Sequence, residues 1–276
     1  MTCAAVLCDD ARYWRSPLLP DAELLNAQYY EQEFAPHWHD GYSIPVITSG
    51  AQTYRYRGSK RLASVGCIAA INPGEVHTGE RATEFGWTYR AFYPSVEWMR
   101  KLASDIAGHP VGIPWLLGDV IHDADVADRL AHAHLLLEEG GDPLAAETAL
   151  TSSFALLLTR YARSHPDAPR LHSDEARVAA MQERLAADLA EPLTLSELAQ
   201  AVGLSAFHAS RLFSAHVGMP PHAWRNQLRL NRALGLLRQG MSVAEAAVAT
   251  GFTDQSHFTK HFKRAYGAPP GRWRNL

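Results

Sequence analysis

Cysteine is scarce in this chain. Cys3, Cys8 and Cys67 are odd in number and form no CxxC pair. That argues against a disulfide scaffold or a zinc finger and fits a reducing cytoplasm, the expected location. A run of about 18 apolar residues is also lacking, so no membrane span and no membrane partner are expected. The start, MTCAAVLCDDARYW, has no basic stretch leading into an apolar one, so no secretory signal is expected. No glycine-rich phosphate loop and no serine-nucleophile elbow occurs, which leaves kinase and hydrolase readings without a foothold.

What is present is ordinary in composition and uneven in charge. The 276 residues are 47% hydrophobic and 20% charged, enough for two domains with cores of normal size. The net charge of −3 divides unequally: residues 171–276 hold 12 basic and 8 acidic side chains, so they carry +4 and the remainder −7. From Arg225 onward nine basic residues face two acidic ones. A basic tail on an acidic body suggests an anionic partner for the tail, although a solvated basic face has the same composition.

The tail also repeats itself. TLSELAQAVGL at 194–204 is matched by SVAEAAVATGF at 242–252, and GMPPHAW is matched by GAPPGRW. Gly203 and Gly251 are 48 positions apart, as are Thr194-x-x-Glu197 and Ser242-x-x-Glu245. Each of those pairs is a capping box, in which a hydroxyl and a carboxylate satisfy the amides of a helix start. Small residues, Ala199 and Ala247, precede each turn glycine by four and let two helices cross closely. A second helix follows each turn, expected to start at a hydroxyl, Ser205 or Thr253. After this segment the offset becomes 49, through one extra residue in the second copy.

Helix, tight turn, helix is the arrangement that sends its second helix into the DNA major groove. Between the copies, PHAWRNQLRLNRALGLLRQG predicts a helix with Trp224, Leu228, Leu234 and Leu237 on one face and Arg225, Arg229 and Arg232 on another. Such a helix spans on the order of 25 Å. It would hold two reading helices about one DNA turn, roughly 34 Å, apart. A tandem pair joined by a basic helix points to double-stranded DNA far more strongly than a single copy does.

These residues, GLSAFHASRLFSAHVGMPP followed by SVAEAAVATGFTDQSHFTKHFKRAYGAPPGRWR, resemble the AraC/XylS family of bacterial transcription regulators across about 175–275. The resemblance implies that Phe207, His208, Ser210 and Arg211 in the first copy face bases, with Gln255, Ser256, His257, Thr259 and Lys260 in the second. Chemistry supports part of this: Arg211 or Lys260 would donate to guanine, and Gln255 would pair with adenine. Family members often carry arginine where Lys260 stands, and lysine lacks the planar fork. Arg225, Arg229, Lys263 and Arg264 are expected as phosphate contacts, which position without specifying. RNA polymerase is a partner implied by the family alone.

Upstream, residues 27–93 read as short strands separated by Gly and Pro, and 95–107, 123–139 and 143–163 read as helices. The fold class expected is α+β in two domains: a cupin-like β-barrel with following helices over 1–164, a linker over 165–174, and an all-α tandem helix-turn-helix over 175–276. His37 and His39, two apart on a strand, share a side. With His77 they resemble the histidines of a cupin, but the carboxylate that metal-binding cupins carry after the HxH is replaced by Ser43 or Ile44. The three histidines are therefore expected to line an effector pocket without a cofactor. The alternatives are a divalent metal held by three imidazoles and water, and histidines with a purely structural role. An arginine from the alternating stretch Tyr54–Arg57 facing inward would favour an anionic effector. The helices of 123–163 either pack on the barrel or form a homodimer. The function expected is an effector-responsive, sequence-specific transcription regulator, an activator by the family's common mode, not an enzyme. The alternative is a cupin-type metalloenzyme with an appended helical domain.

Overall fold

Strand β4 (Ile44–Tyr56) organises the first part of the chain. The computed structural model describes residues 8–140, 142–164, 173–191, 193–252 and 254–273, and the chain divides into two compact units, 1–33 with 38–165 and 34–37 with 166–276. β1 (Asp10–Trp14), β2 (Glu23–Tyr29), β3 (Phe34–His37), β4, β5 (Ser59–Ser64), β6 (Ile68–Ala69), β7 (His77–Arg81) and β8 (Trp87–Tyr93) join by hydrogen-bonded pairing. With β10 (Val120–Ile121) they make a nine-stranded sheet. The first half of β4 pairs with β8 and the second half with β5 and β7. Between the halves lie a register shift after Ile47 and Gly50, whose φ is +66°. A side chain at Gly50 would also meet the Gly86 carbonyl at 2.2 Å, so only glycine lets β4 and β8 approach so closely there. The β4–β5 hairpin closes on Arg57 and Gly58, both at positive φ, as a two-residue type I′ loop requires.

Strands begin earlier than the sequence suggested. Tyr13 pairs with Leu25 on β1 and β2, before residue 27, because the Leu-, Asn- and Ala-containing run of β2 carries a weak strand signature. After α1 (Val96–Ala107), short β9 (Pro114–Leu116) lies before β10, and α2 (Ala124–Glu139) and α3 (Pro143–Tyr161) follow. Ser95, Asp123 and Asp142 cap the three helices. The helical reading of 143–163 overran: Ala162–Ser164 is a strand, β11, paired with β9.

The apolar stripes of α2 and α3 are spent within the unit. Val126, Leu130 and Ala133 of α2 and Leu150, Phe154 and Leu157 of α3 join Leu24, Ile44, Val46 and Phe92 of the sheet in one core. Phe154 meets Phe92 edge-to-face at 5.1 Å and Trp98 at 5.0 Å, a favoured aromatic geometry.

The described residues of 173–273 form helices and the turns between them. These are α4 (Ser173–Ala186), α5 (Leu195–Gln200), α6 (Ala206–Val217), α7 (Pro221–Arg238), α8 (Val243–Ala249) and α9 (Gln255–Tyr266), then a short 3-10 turn at Pro270–Trp273. Of the expected linker, 165–172 lies outside the described residues, and 173–174 already belong to α4. Both capping boxes form as the sequence suggested. Ala199 and Ala247 are buried at the helix crossings, and Gly203 and Gly251 take φ of +67° and +80°.

Candidate functional site: a tandem nucleic-acid interface and a histidine cluster

The second reading helix starts one residue later than expected. Thr253 lies outside the described residues, and the N-cap of α9 is Asp254, whose Oδ1 accepts from the His257 amide at 2.7 Å. Ser205 does the same for His208 in α6, at 3.3 Å. The offset is therefore already 49 at the caps, 205 to 254. With that register the two helices superpose position by position in sequence. Ala209 matches Phe258 and Phe213 matches Phe262, all fully buried. His208, Ser210 and Arg211 then match His257, Thr259 and Lys260.

The matched polar positions share the outer face. His208, Arg211, Gln255, Ser256, His257 and Lys260 are exposed, and Ser210 and Thr259 are half-buried. The Phe207 side chain lies outside the described residues, and its backbone sits in the same first turn of α6. These positions fall in the N-terminal halves of α6 and α9, the part of a reading helix that meets base edges. His257 stacks edge-on against His261 at 4.4 Å. Burial and the nearby cationic groups lower the His261 pKa, which keeps that ring neutral. Behind this face Phe262 packs on Phe258, Tyr266 and Trp273 at 5.4, 4.6 and 6.1 Å. The apolar side of α9 is thus held rigidly while its polar side stays open.

Lys263 and Arg264 are exposed in the last turn of α9, where cations also suit the helix dipole. Arg225 and Arg229 are placed differently from the expected phosphate contacts. Arg225 is buried, and its Nη2 donates to the Asp188 carbonyl at 2.6 Å and to the Glu191 carbonyl. Arg229 is half-buried and its Nε donates to the Leu189 carbonyl at 2.8 Å. Burial lowers the pKa of both. Helix α7 packs against α4, α6, α8 and α9, so burial is not confined to one face: Gln227 and Leu230 are buried beside the expected Trp224, Leu234 and Leu237, and Arg225 with them. A cavity of about 280 Å³ between α5, α6 and α7 borders Ser210, Asn226 and both arginines, a feature with no signal in the sequence.

The three expected histidines do come together: one ligand nitrogen from each of His37, His39 and His77 lies within 4.8 Å of the others. Nδ1 of His37 donates to the Ala35 carbonyl at 2.8 Å, and Nδ1 of His77 to the Glu75 carbonyl at 3.1 Å. Those bonds fix the tautomer, leaving Nε2 of each ring as a base. Burial lowers the His37 pKa to about 4, so the ring is neutral at physiological pH. His39 lies 5.2 Å from His77 and 5.1 Å from Tyr93, ring to ring. Ser43 and Ile44 are both buried and supply no carboxylate. Glu75 is committed to Arg57, which grips both its oxygens at 2.8 Å. Among the described residues, these three nitrogens are the groups placed to hold a metal.

Strand register decides a question the sequence left open. Tyr54 and Tyr56 are buried and Arg55 is exposed, so the aromatic face of β4 enters the unit and the basic face does not. Trp87 and Tyr89 are buried on β8 and join Tyr29 in an aromatic wall, at 5.4 and 6.0 Å. The tyrosines Tyr29 and Tyr93 were not singled out by sequence reasoning, since alternation alone does not say which face is inside.

Comparison with known proteins agrees with both halves. Residues 19–154 match the AraC-like ligand-binding domain, and residues 198–276 match a helix-turn-helix domain. The HTH-type transcriptional regulator YbfI of Bacillus subtilis is 30% identical over 231 residues, 82% of each chain. The chain belongs to the AraC family of transcriptional regulators. GbdR of Pseudomonas aeruginosa is 35% identical over 141 residues, half of this chain and 38% of that protein. In fold, this AraC-family regulator is similar to apo ToxT of Vibrio cholerae, with a TM-score of 0.55 at 11% identity over 92% of this chain and 96% of that one. It is also similar to ToxT with an unsaturated fatty acid bound, at a TM-score of 0.51 and 11% identity over 92% and 94%. It is thus a transcription regulator with a ligand-binding N-terminal unit and a DNA-binding C-terminal unit. No helix among the described residues is long and apolar enough to cross a membrane.

Proposed function

We propose that the effector of this regulator binds against the inner aromatic face of the first unit, with its polar group on His37, His39 and His77. The convergence of the three ring nitrogens within 4.8 Å carries this reading. Imidazoles exchange hydrogen bonds, the buried His37 ring is neutral, and Arg55 of β4 faces outward. The effector class is therefore an apolar or aromatic body with an uncharged or weakly acidic hydrogen-bonding group. The fatty acid in ToxT supports an apolar-bodied ligand. The histidines serve without a resident metal or other cofactor, because no carboxylate completes the set. Thermal-shift screening of such compounds, with and without zinc, tests this. A hit lost in both His39→Ala and His77→Ala supports it, and stabilisation by zinc alone would sink it.

In this reading α6 and α9 recognise one duplex through Phe207, His208, Ser210 and Arg211 and through Gln255, Ser256, His257, Thr259 and Lys260. The effector shifts the population of the binding-competent state by its differential affinity. Lys263 and Arg264 hold phosphates. The regulator activates transcription together with RNA polymerase. Leu135 and Leu144 remain exposed on α2 and α3, which supports a homodimer; sedimentation at micromolar concentration tests it. Footprinting upstream of its own and neighbouring genes tests DNA recognition, and effector-independent, sequence-blind binding would refute it. Nothing favours the metalloenzyme alternative, since the relatives named above are regulators.

A further inference from the structure

We propose that Arg225 and Arg229 are positioning residues that fix the spacing between the two reading helices, rather than phosphate contacts. The inference rests on the reading that α6 and α9 both meet DNA. The two arginines are one helical turn apart on α7, so they project from one face. That face points at the turn 188–191, which follows α4. Asp188 folds this turn by accepting from the amides of Ala190 and Glu191 at 2.9 and 3.2 Å. Folding the turn this way turns three carbonyls, those of Asp188, Leu189 and Glu191, toward the guanidinium groups.

The far side of the turn rests on the second helix-turn-helix. A Cβ at Gly251 would lie 2.6 Å from the Leu189 carbonyl, 3.1 Å from Ala190 Cα and 3.1 Å from Arg229 Nη2. Gly251 is the turn glycine between α8 and α9, so the same short turn is gripped by α7 on one side and wedged against the second unit's bend on the other. Helix α7 itself packs against α4, α6, α8 and α9. A helix alone fixes the separation of its ends but leaves the rotation of what hangs from each end to side-chain packing. The gripped turn adds a second strut, directional because carbonyls accept along defined axes. Rotational play between α6 and α9 is what a fixed half-site spacing cannot tolerate, since about 10 bp separate successive major-groove faces.

Selection from a random-duplex library with the full-length protein tests the strut. The wild type should enrich two motifs at one spacing, which tests the two-helix reading itself. Arg229→Met should keep both motifs, spread the spacing over at least one base pair either way, and leave the slope of log affinity against log salt unchanged. Arg229→Lys, which still donates to one carbonyl, should restore the single spacing. If Arg229→Met unfolds the protein, Asp188→Ala loosens the same turn from an exposed site and should give the same spread. Two results would overturn the proposal. One is a wild type enriching a single motif. The other is an Arg229→Met protein that keeps the wild-type spacing while losing about one unit of salt slope, the mark of a phosphate contact.

Discussion

Asp254 is the N-cap of α9 and one of two acidic residues after Arg225, so replacing it sets two effects against each other. Its carboxylate holds the His257 amide at 2.7 Å and thereby the first turn that carries Gln255, Ser256 and His257. Losing a cap costs about 1 kcal/mol, within a range of roughly 0.5–2. That is about a fivefold change in the population of the ordered turn. Removing the charge also relieves repulsion of DNA phosphates, which strengthens binding to any sequence. Asp254→Asn keeps an acceptor and loses the charge, whereas Asp254→Ala loses both. Fluorescence anisotropy with a selected duplex and a scrambled one separates the effects. Both variants should bind the scrambled duplex more tightly than the wild type. The ratio of selected to scrambled affinity should hold within about twofold for Asn and fall about fivefold for Ala. Equal ratios for the two variants would refute the claim that the cap orders the reading surface.

Arg211→Ala should lose about 1–3 kcal/mol on the preferred sequence and relax base preference at one end of the site; a uniform loss over all sequences would make it a phosphate contact. Lys263→Ala with Arg264→Ala should lower the salt slope by about two without altering the selected motif, as read by anisotropy at several salt concentrations. Phe154→Ala should cost about 3–5 kcal/mol in urea denaturation of the first unit, because the fully buried ring fills the junction of sheet, α1 and α3. Burial holds His37 down to about 4. Burial and the adjacent Arg90 hold His134 down to about 3, against the opposing pull of Glu138. In the unfolded chain both titrate near 6.5. Below that pH only the unfolded chain takes up their protons, so stability is full above about 6.5 and falls toward pH 4. The urea midpoint should drop between pH 7 and 5, and a flat midpoint would mean that these rings are solvated.

The repeat made the second unit legible because two copies report on each other. Two capping boxes, two small residues and two turn glycines left one arrangement that suits them all, and every such position folded as expected. The miss on α7 comes from its neighbours, which no local period reports. A helix packed against four others is buried on more than one side, and that places Arg225 in the interior beside Trp224. The cap of α9 was missed for a local reason, since threonine and aspartate are adjacent and both suit the position. In the first unit the histidine cluster was legible from HxH, but its meaning was not: which face of β4 is inside depends on long-range pairing with β8 and β7, and no local pattern encodes that register.

Register also changes what kind of sensor this is. Had Arg55 or Arg57 faced inward, an anionic effector would follow from charge. Instead Arg57 is spent on Glu75 and Asp119 at the surface, and the interior offers tyrosines and imidazoles. On the reading proposed above, such an interior discriminates by shape and hydrogen-bond pattern. The second unit shows the same division. Its charges that point outward, on α9, suit an anionic polymer, and its charges that point inward, on α7, bind the protein's own carbonyls. Net charge read from the sequence counts both kinds alike. Burial separates them: on the reading proposed above, the outward set serves affinity for DNA and the inward set the geometry with which two helices meet it.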